Sequence, residues 1–121
     1  PFFDDMAERY RAASLVVSRA GATTLAELTC CGLPMILLPF RFAADNHQRA
    51  NALSLQERGA AVMVEHRETA DETARELAAQ LQSLIADDNR REAMGVASHA
   101  LGRPDAAAVV ASRIQALAAD R

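Results

Sequence analysis

The stretch Leu15-Val16-Val17-Ser18-Arg19-Ala20-Gly21-Ala22-Thr23-Thr24-Leu25-Ala26-Glu27-Leu28 decides the fold. It passes from a short apolar run without alternation, through a glycine turn, into residues spaced along one helix face. A continuous apolar run suits a strand buried on both faces, and such strands belong to parallel sheets covered by helices. The same pattern recurs downstream. Met35-Ile36-Leu37-Leu38 lies between Pro34 and Pro39, and Ala60-Ala61-Val62-Met63-Val64 follows Gly59. Between the runs stand helical signals: Leu25, Leu28 and Thr29 before Gly32, then Ala50, Ala52, Leu53 and Leu55 before Gly59. Each of these glycines can take the left-handed conformation that closes a helix. The order strand, helix, strand, helix, strand implies parallel βαβ units and an α/β fold whose sheet is flanked by helices.

Beyond the third run the period changes. Ala74, Leu77, Ala78, Leu81, Leu84 and Ile85 follow helical spacing, with Asp71 expected as N-cap. A further helix is expected over residues 91–99. The last is expected over residues 105–119, after Pro104, with Val109, Val110, Ile114 and Leu117 as its stripe. Three strands make a narrow sheet, and the chain opens abruptly at Pro1-Phe2-Phe3. The expectation is a single domain over residues 1–121 that is truncated on its N-terminal side.

Composition bounds the function. With 121 residues the chain has room for one core, and 50% apolar with 24% charged residues is the balance of a folding domain. Net charge is -3 and no basic stripe is visible, which argues against a nucleic-acid partner. All 13 basic residues are Arg, so neither a P-loop lysine nor a Schiff-base lysine exists in this chain. Cys30 and Cys31 are adjacent, without metal-spaced partners, and read as small buried residues of a reducing compartment. The three histidines are scattered, and no metal site or cofactor is expected. The apolar run from Leu33 to Phe40 falls far short of the ~20 residues that cross a bilayer, and Pro1 opens no signal-peptide pattern, so the chain reads as soluble and, unless its start is missing, cytoplasmic.

Two strand-to-helix junctions carry the candidate chemistry. In parallel α/β sheets ligands sit beyond the carboxyl ends of the strands, where helix starts offer unpaired N–H groups and partial positive charge to phosphate. At the first junction Gly21 lets the backbone approach a ligand, Ala22, Thr23, Thr24 and Leu25 offer amides, and Glu27 can accept two hydrogen bonds from a ribose diol. Thr24-x-x-Glu27 equally matches a capping box, and spacing alone favours that reading. At the second junction, Asp45-Asn46-His47-Gln48-Arg49-Ala50-Asn51-Ala52, His47 and Asn51 lie one turn apart with Gln48 beside them, a set suited to sugar hydroxyls. A solvated first turn with the box Asp45-x-x-Gln48 is the alternative. As a general base His47 is the weaker reading, because the sequence places no Ser, Cys or carboxylate beside it. Phe2, Phe3, Met6 and Tyr10 form either an apolar wall for a base or ordinary core. His66 and His99 are expected in solvent, and the pairs Asp4-Asp5 and Asp87-Asp88 are expected as caps and turn formers.

At these residues the chain resembles the C-terminal, donor-binding half of the MurG family of bacterial N-acetylglucosaminyltransferases. Phe2-Phe3-Asp4-Asp5-Met6 is similar to the family's F-x-x-x-M entry, and Ser18 to Glu27 to its S-R-x-G-A-x-T-x-x-E segment. Gly32-Leu33-Pro34 with Pro39-Phe40 resembles the G-x-P…P-x strand, and Asp45 to Ala52 the D-x-x-Q-x-x-N-A segment. The resemblance implies a Rossmann-like half of a B-type glycosyltransferase fold that binds UDP-N-acetylglucosamine. The Phe3 backbone would meet uracil with Met6 nearby. Gly21 and the segment Ala22 to Ala26 would face the diphosphate and sugar, and Glu27 would hold the ribose. His47 and Gln48 would sit at the N-acetylglucosamine, with Asn51 in contact or in support. The family pattern varies at Thr23, and Arg41-Phe42 departs from it.

The reaction so implied moves N-acetylglucosamine, with inversion, onto lipid I to make lipid II for peptidoglycan. The acceptor and the cytoplasmic face of the membrane would meet a second domain N-terminal to Pro1. No catalytic residue is expected in this chain, and the isolated chain is expected to be inactive. A related UDP-sugar transferase with another acceptor, or a non-catalytic nucleotide-sugar-binding subunit, would share the same residues.

Overall fold

A computed structural model describes residue 9, residues 12–40 and residues 47–102. Phe3, Met6, the acidic pair Asp4-Asp5, Asp45 and the helix expected over residues 105–119 lie outside the described residues. The elements are β1 (Val16–Ser18), α1 (Ala22–Cys30), β2 (Met35–Leu37), α2 (His47–Glu57), β3 (Ala61–Met63), α3 (Ala70–Ile85) and α4 (Asp88–Leu101). The strands form one parallel sheet in the order β1-β2-β3, in the register Val17, Ile36, Val62 across the middle. The three apolar runs thus become the three strands, and the fold is α/β as expected.

Strand alternation divides the core. Val16, Met35, Leu37, Ala61 and Met63 point to the face covered by α1 and α2, where they meet Leu25, Leu28, Ala52 and Leu55. Ile36, Leu38, Val62 and Val64 point to the other face, against Leu77, Leu81 and Leu84 of α3 and Met94 of α4. All three residues of β2 are 0% exposed, as a central strand with both faces covered requires. Val17, on the edge strand β1, is 43% exposed.

Helix ends follow the glycines. Gly32 and Gly59 have φ of 66° and 83°. After α1, Gly32 N–H donates to Thr29 and Leu33 N–H reaches back to Leu28; after α2, Gly59 N–H donates to Gln56 and Ala60 N–H reaches Leu55. These bonds satisfy the last carbonyls of both helices, which only a left-handed residue allows cheaply.

Three expectations about the helical tail need correction. The N-cap of α3 is Thr69, whose hydroxyl accepts from Glu72 N–H at 3.1 Å; Asp71 is exposed within the first turn. The inward stripe runs through Thr73, Leu77, Leu81 and Leu84, whereas Ala74, Ala78 and Ile85 are exposed. The helix expected over 91–99 is longer, and Asp87 caps it by accepting from Arg90 N–H at 3.0 Å. α4 closes the sheet from below, beside the turns that enter β2 and β3. A Cβ added at Gly95 would stand 3.1 Å from the Gly32 carbonyl, and one at Gly59 would stand 3.8 Å from Ala97.

Candidate functional site

The site-bearing loops lie at the opposite, carboxyl ends of the strands. After β1 the chain turns through Arg19 and the fully buried Ala20 to Gly21, which is the N-cap of α1 with extended backbone (φ -69°, ψ 142°) and no side-chain cap bond. Leu25 N–H donates to the Gly21 carbonyl at 3.0 Å, the first bond of the helix. Thr24 is therefore the third residue of α1 and not its cap, which removes the Thr24-x-x-Glu27 capping box. The N–H groups of Ala22, Thr23 and Thr24 have no acceptor within the helix. No acidic residue sits in the first turn to neutralise the positive end.

Leu25 differs from its neighbours. Its N–H is bonded and its side chain is buried in the core, so the outward-facing amides narrow to three. Ala22 and Thr23 are exposed, and Thr24, Ala26 and Glu27 are half-buried. Glu27 follows Thr24 by three and Thr23 by four positions, which sets all three on one side of α1.

The start of α2 is held against this loop by two side chains. The Gln48 Oε1 accepts from Phe40 N–H at 2.7 Å, which ties α2 to the end of β2. Gln48 Nε2 lies 4.0 Å from the position a Gly21 Cβ would occupy. Asn51 Nδ2 donates to the Ala20 carbonyl at 3.1 Å, which fixes the other loop. The structure so gathers Gly21, Gln48 and Asn51 around the start of α1, with His47 exposed as the first residue of α2. Asn51 acts as support for the loop. The Gln48 carbonyl reaches a strand-end amide eight positions earlier, a contact that no local capping pattern describes.

Three rim residues escaped the sequence reading. Arg19 donates from Nη1 to the Leu38 carbonyl at 3.3 Å, lies 2.9 Å from His66 Nε2, and its guanidinium stands 5.5 Å from the centre of the Phe40 ring. His66 is half-buried, not free in solvent as expected. Pro39, Phe40, Arg49, Glu65, His66 and Arg67 help to line a hollow of about 340 Å³. Around it Arg49 pairs with Glu65 at 2.5 Å, and Arg67 with Glu76 at 2.6 Å. The Glu76 carboxylate raises the Arg67 pKa further above its ordinary value. The signal for Arg19 was present, since it stands within the quoted Ser18 to Glu27 segment, but its partners lie on distant strands.

Among the described residues no group of three or more His, Cys, Asp and Glu could hold a metal ion. Cys30 is half-buried and Cys31 exposed, which corrects the expectation that both are buried. Desolvation and the neighbouring Cys30 push the Cys31 thiol above its ordinary value, so it stays protonated near neutrality.

The glycosyltransferase family 28 C-terminal domain pattern matches residues 1–110 of the chain. The chain belongs to this family. It is 53% identical over 110 residues to a UDP-N-acetylglucosamine--N-acetylmuramyl-(pentapeptide) pyrophosphoryl-undecaprenol N-acetylglucosamine transferase of Anaeromyxobacter sp. (strain Fw109-5), covering 91% of this chain and 28% of that protein. A transferase of the same name from Geobacter metallireducens is 47% identical over 109 residues, covering 90% of this chain and 29% of the relative. Among solved structures, MurG of Acinetobacter baumannii superposes with a TM-score of 0.74 at 32% identity, covering 95% of this chain and 32% of that one. The chain thus spans under a third of the length of these relatives. Among the described residues no helix is long and apolar enough to cross a membrane.

Proposed function

We propose that this family 28 domain is the donor-binding part of an N-acetylglucosaminyltransferase that carries N-acetylglucosamine from UDP-N-acetylglucosamine to lipid I, giving lipid II for peptidoglycan. The observation that carries the reading is the start of α1. A strand end leads to a bare glycine N-cap and three helix-start amides, and the Gln48 Nε2 lies 4.0 Å from where a Gly21 Cβ would stand. A helix start without an acid or a side-chain cap suits an anionic group, and a diphosphate is the charged part of this donor. The relatives' names supply the sugar, the nucleotide and the acceptor.

In this reading the Ala22, Thr23 and Thr24 amides bind the diphosphate and stabilise charge as the nucleotide leaves, a macrodipole effect of about 0.3–1 kcal/mol that reaches about 2 when partly buried. Glu27 accepts from the ribose hydroxyls. His47 and the Gln48 amide face the sugar, and Phe3 and Met6 face the base. Residues 1–121 act as one nucleotide-sugar-binding domain. The acceptor, the inner face of the membrane and the group that activates the acceptor hydroxyl belong to the rest of the polypeptide, so this chain alone does not transfer sugar.

Calorimetric titration of the purified chain with UDP-N-acetylglucosamine, with UDP-glucose as competitor, tests the reading. Specific binding is expected, and Glu27→Ala should weaken it by more than about 1 kcal/mol, the scale of hydrogen bonds to a charged group. A folded chain that binds no donor, or a Glu27→Ala variant that binds as well as the parent, would overturn it. Transfer of labelled N-acetylglucosamine to a lipid I analogue by the isolated chain would refute its dependence on a second part.

A further inference from the structure

The rim contacts of Arg19 go beyond what a donor-contact map contains. Its side chain leaves the end of β1 and spans the ends of both other strands: the Leu38 carbonyl and the Phe40 ring after β2, and the His66 ring after β3. The Phe40 N–H is the donor that orients Gln48. A single guanidinium therefore fixes the segment from which the Gln48 amide is aimed at Gly21. We infer that Arg19 is a positioning residue for the sugar end of the donor site, acting through Phe40 and Gln48, and that an unprotonated His66 Nε2 completes its seat. The inference rests on the donor-site reading above.

The chemistry makes the assignment specific. Arginine has donors and no acceptor, so the 2.9 Å contact requires His66 Nε2 to be the acceptor and the ring to be neutral. The planar fork can face a carbonyl, an imidazole and an aromatic ring at once; a lysine ammonium has neither the span nor the flat face for stacking. Acid protonates Nε2 and sets two cations against each other. Among the described residues, the other charged groups lining this hollow are Arg49, Glu65, Arg67 and Glu68. Glu65 is paired with Arg49, and Arg67 with Glu76, so neither pair replaces the lost acceptor.

The test is donor titration of the whole chain and of Arg19→Ala, Arg19→Lys and His66→Gln, with thermal melts alongside. Arg19→Ala is expected to lose about tenfold in affinity for UDP-N-acetylglucosamine, and Arg19→Lys should fail to restore it. Affinity of the parent should fall from about pH 8 to about pH 5.5, the interval over which imidazoles charge. His66→Gln keeps an acceptor that does not titrate, so, measured against its own alkaline-end affinity, it should show a shallower acid loss than the parent. Any effect of His47 is common to both profiles. If the parent binds donor while both Arg19 variants bind equally well, or His66→Gln keeps the full acid loss, the positioning role is wrong and the donor site stands. A parent chain that binds no donor overturns both.

Discussion

At the amino ends of the strands, α4 brings its glycines against the main chain of α1 and of the Gly32 turn, whereas at the carboxyl ends the loops are joined by side-chain amides and a guanidinium. Below the sheet a Cβ at Gly102 would stand 2.9 Å from the Thr29 carbonyl and 3.2 Å from Cys30 Cα. Above it Gln48, Asn51 and Arg19 each cross from one element to another by a hydrogen bond. Close packing of backbone leaves little freedom to move, so it suits a floor. The Ser98 hydroxyl of α4 is buried there with no hydrogen-bond partner among the described residues. Side-chain ties contribute about 1 kcal/mol each but fix direction, which is what a binding rim needs.

The largest expected effect is therefore on the floor. Gly102 has ordinary dihedrals (φ -69°, ψ 140°), so the obstacle to a side chain is contact and not conformation. Its neighbours are backbone atoms of α1 that cannot swing aside. Gly102→Ala should cost about 1–3 kcal/mol, the usual range for overpacking, in a denaturant titration. Because the helices behind the sheet shift together, donor affinity should change far less than stability. A neutral result would mean that α4 rides loosely on α1 and that the floor is not rigid.

The same contrast governs how much was legible in the sequence. Strands, helix order and the glycine closures are local signals, and Gly32 and Gly59 take the positive φ that their positions after helical runs implied. The cap of α3 was misread because Thr69 and Asp71 are both good cap formers only two positions apart; the extended backbone at Thr69 decides between them. Ile85 matched the apolar stripe in spacing, but it is the last residue of α3 and is 62% exposed. Thr24-x-x-Glu27 fitted a box by spacing, and the true helix start at Gly21 displaced it inward. The rim itself was beyond periodicity. Arg19 and His66 are 47 positions apart, and Asn51 lies 31 positions from Ala20. Only the sheet register brings such pairs together. The family resemblance named Gln48 and Asn51 for this reason, and the structure shows the Gln48 amide tied to Phe40 N–H and the Asn51 amide to the Ala20 carbonyl.

A middle-sized effect is expected at Asn51. Its Nδ2 bond to the Ala20 carbonyl is half-buried, so Asn51→Ala should lower stability by about 1 kcal/mol. Unlike the floor variant, it should also weaken UDP-N-acetylglucosamine binding several-fold, because it frees the loop that presents Gly21 to α2. Equal losses of stability for Asn51→Ala and Gly102→Ala, with equal effects on binding, would erase the distinction between rim and floor.

The smallest effect tests whether every rim contact matters. Arg49 and Glu65 pair at 2.5 Å, but their side chains remain 52% and 46% exposed. Water screens such a pair and two flexible side chains must be ordered to make it, so exposed ion pairs typically contribute about 0.2–1 kcal/mol. Arg49→Ala should therefore shift the denaturation midpoint little, and the shift should shrink further in high salt. Arg49 directly follows Gln48 on α2, yet the tie that aims Gln48 runs to Phe40 N–H and not through Arg49. Donor affinity should accordingly stay within about twofold of the parent, a fraction of a kcal/mol. A drop comparable with that of Asn51→Ala would bring the Arg49–Glu65 pair into the donor-binding rim beside Gln48.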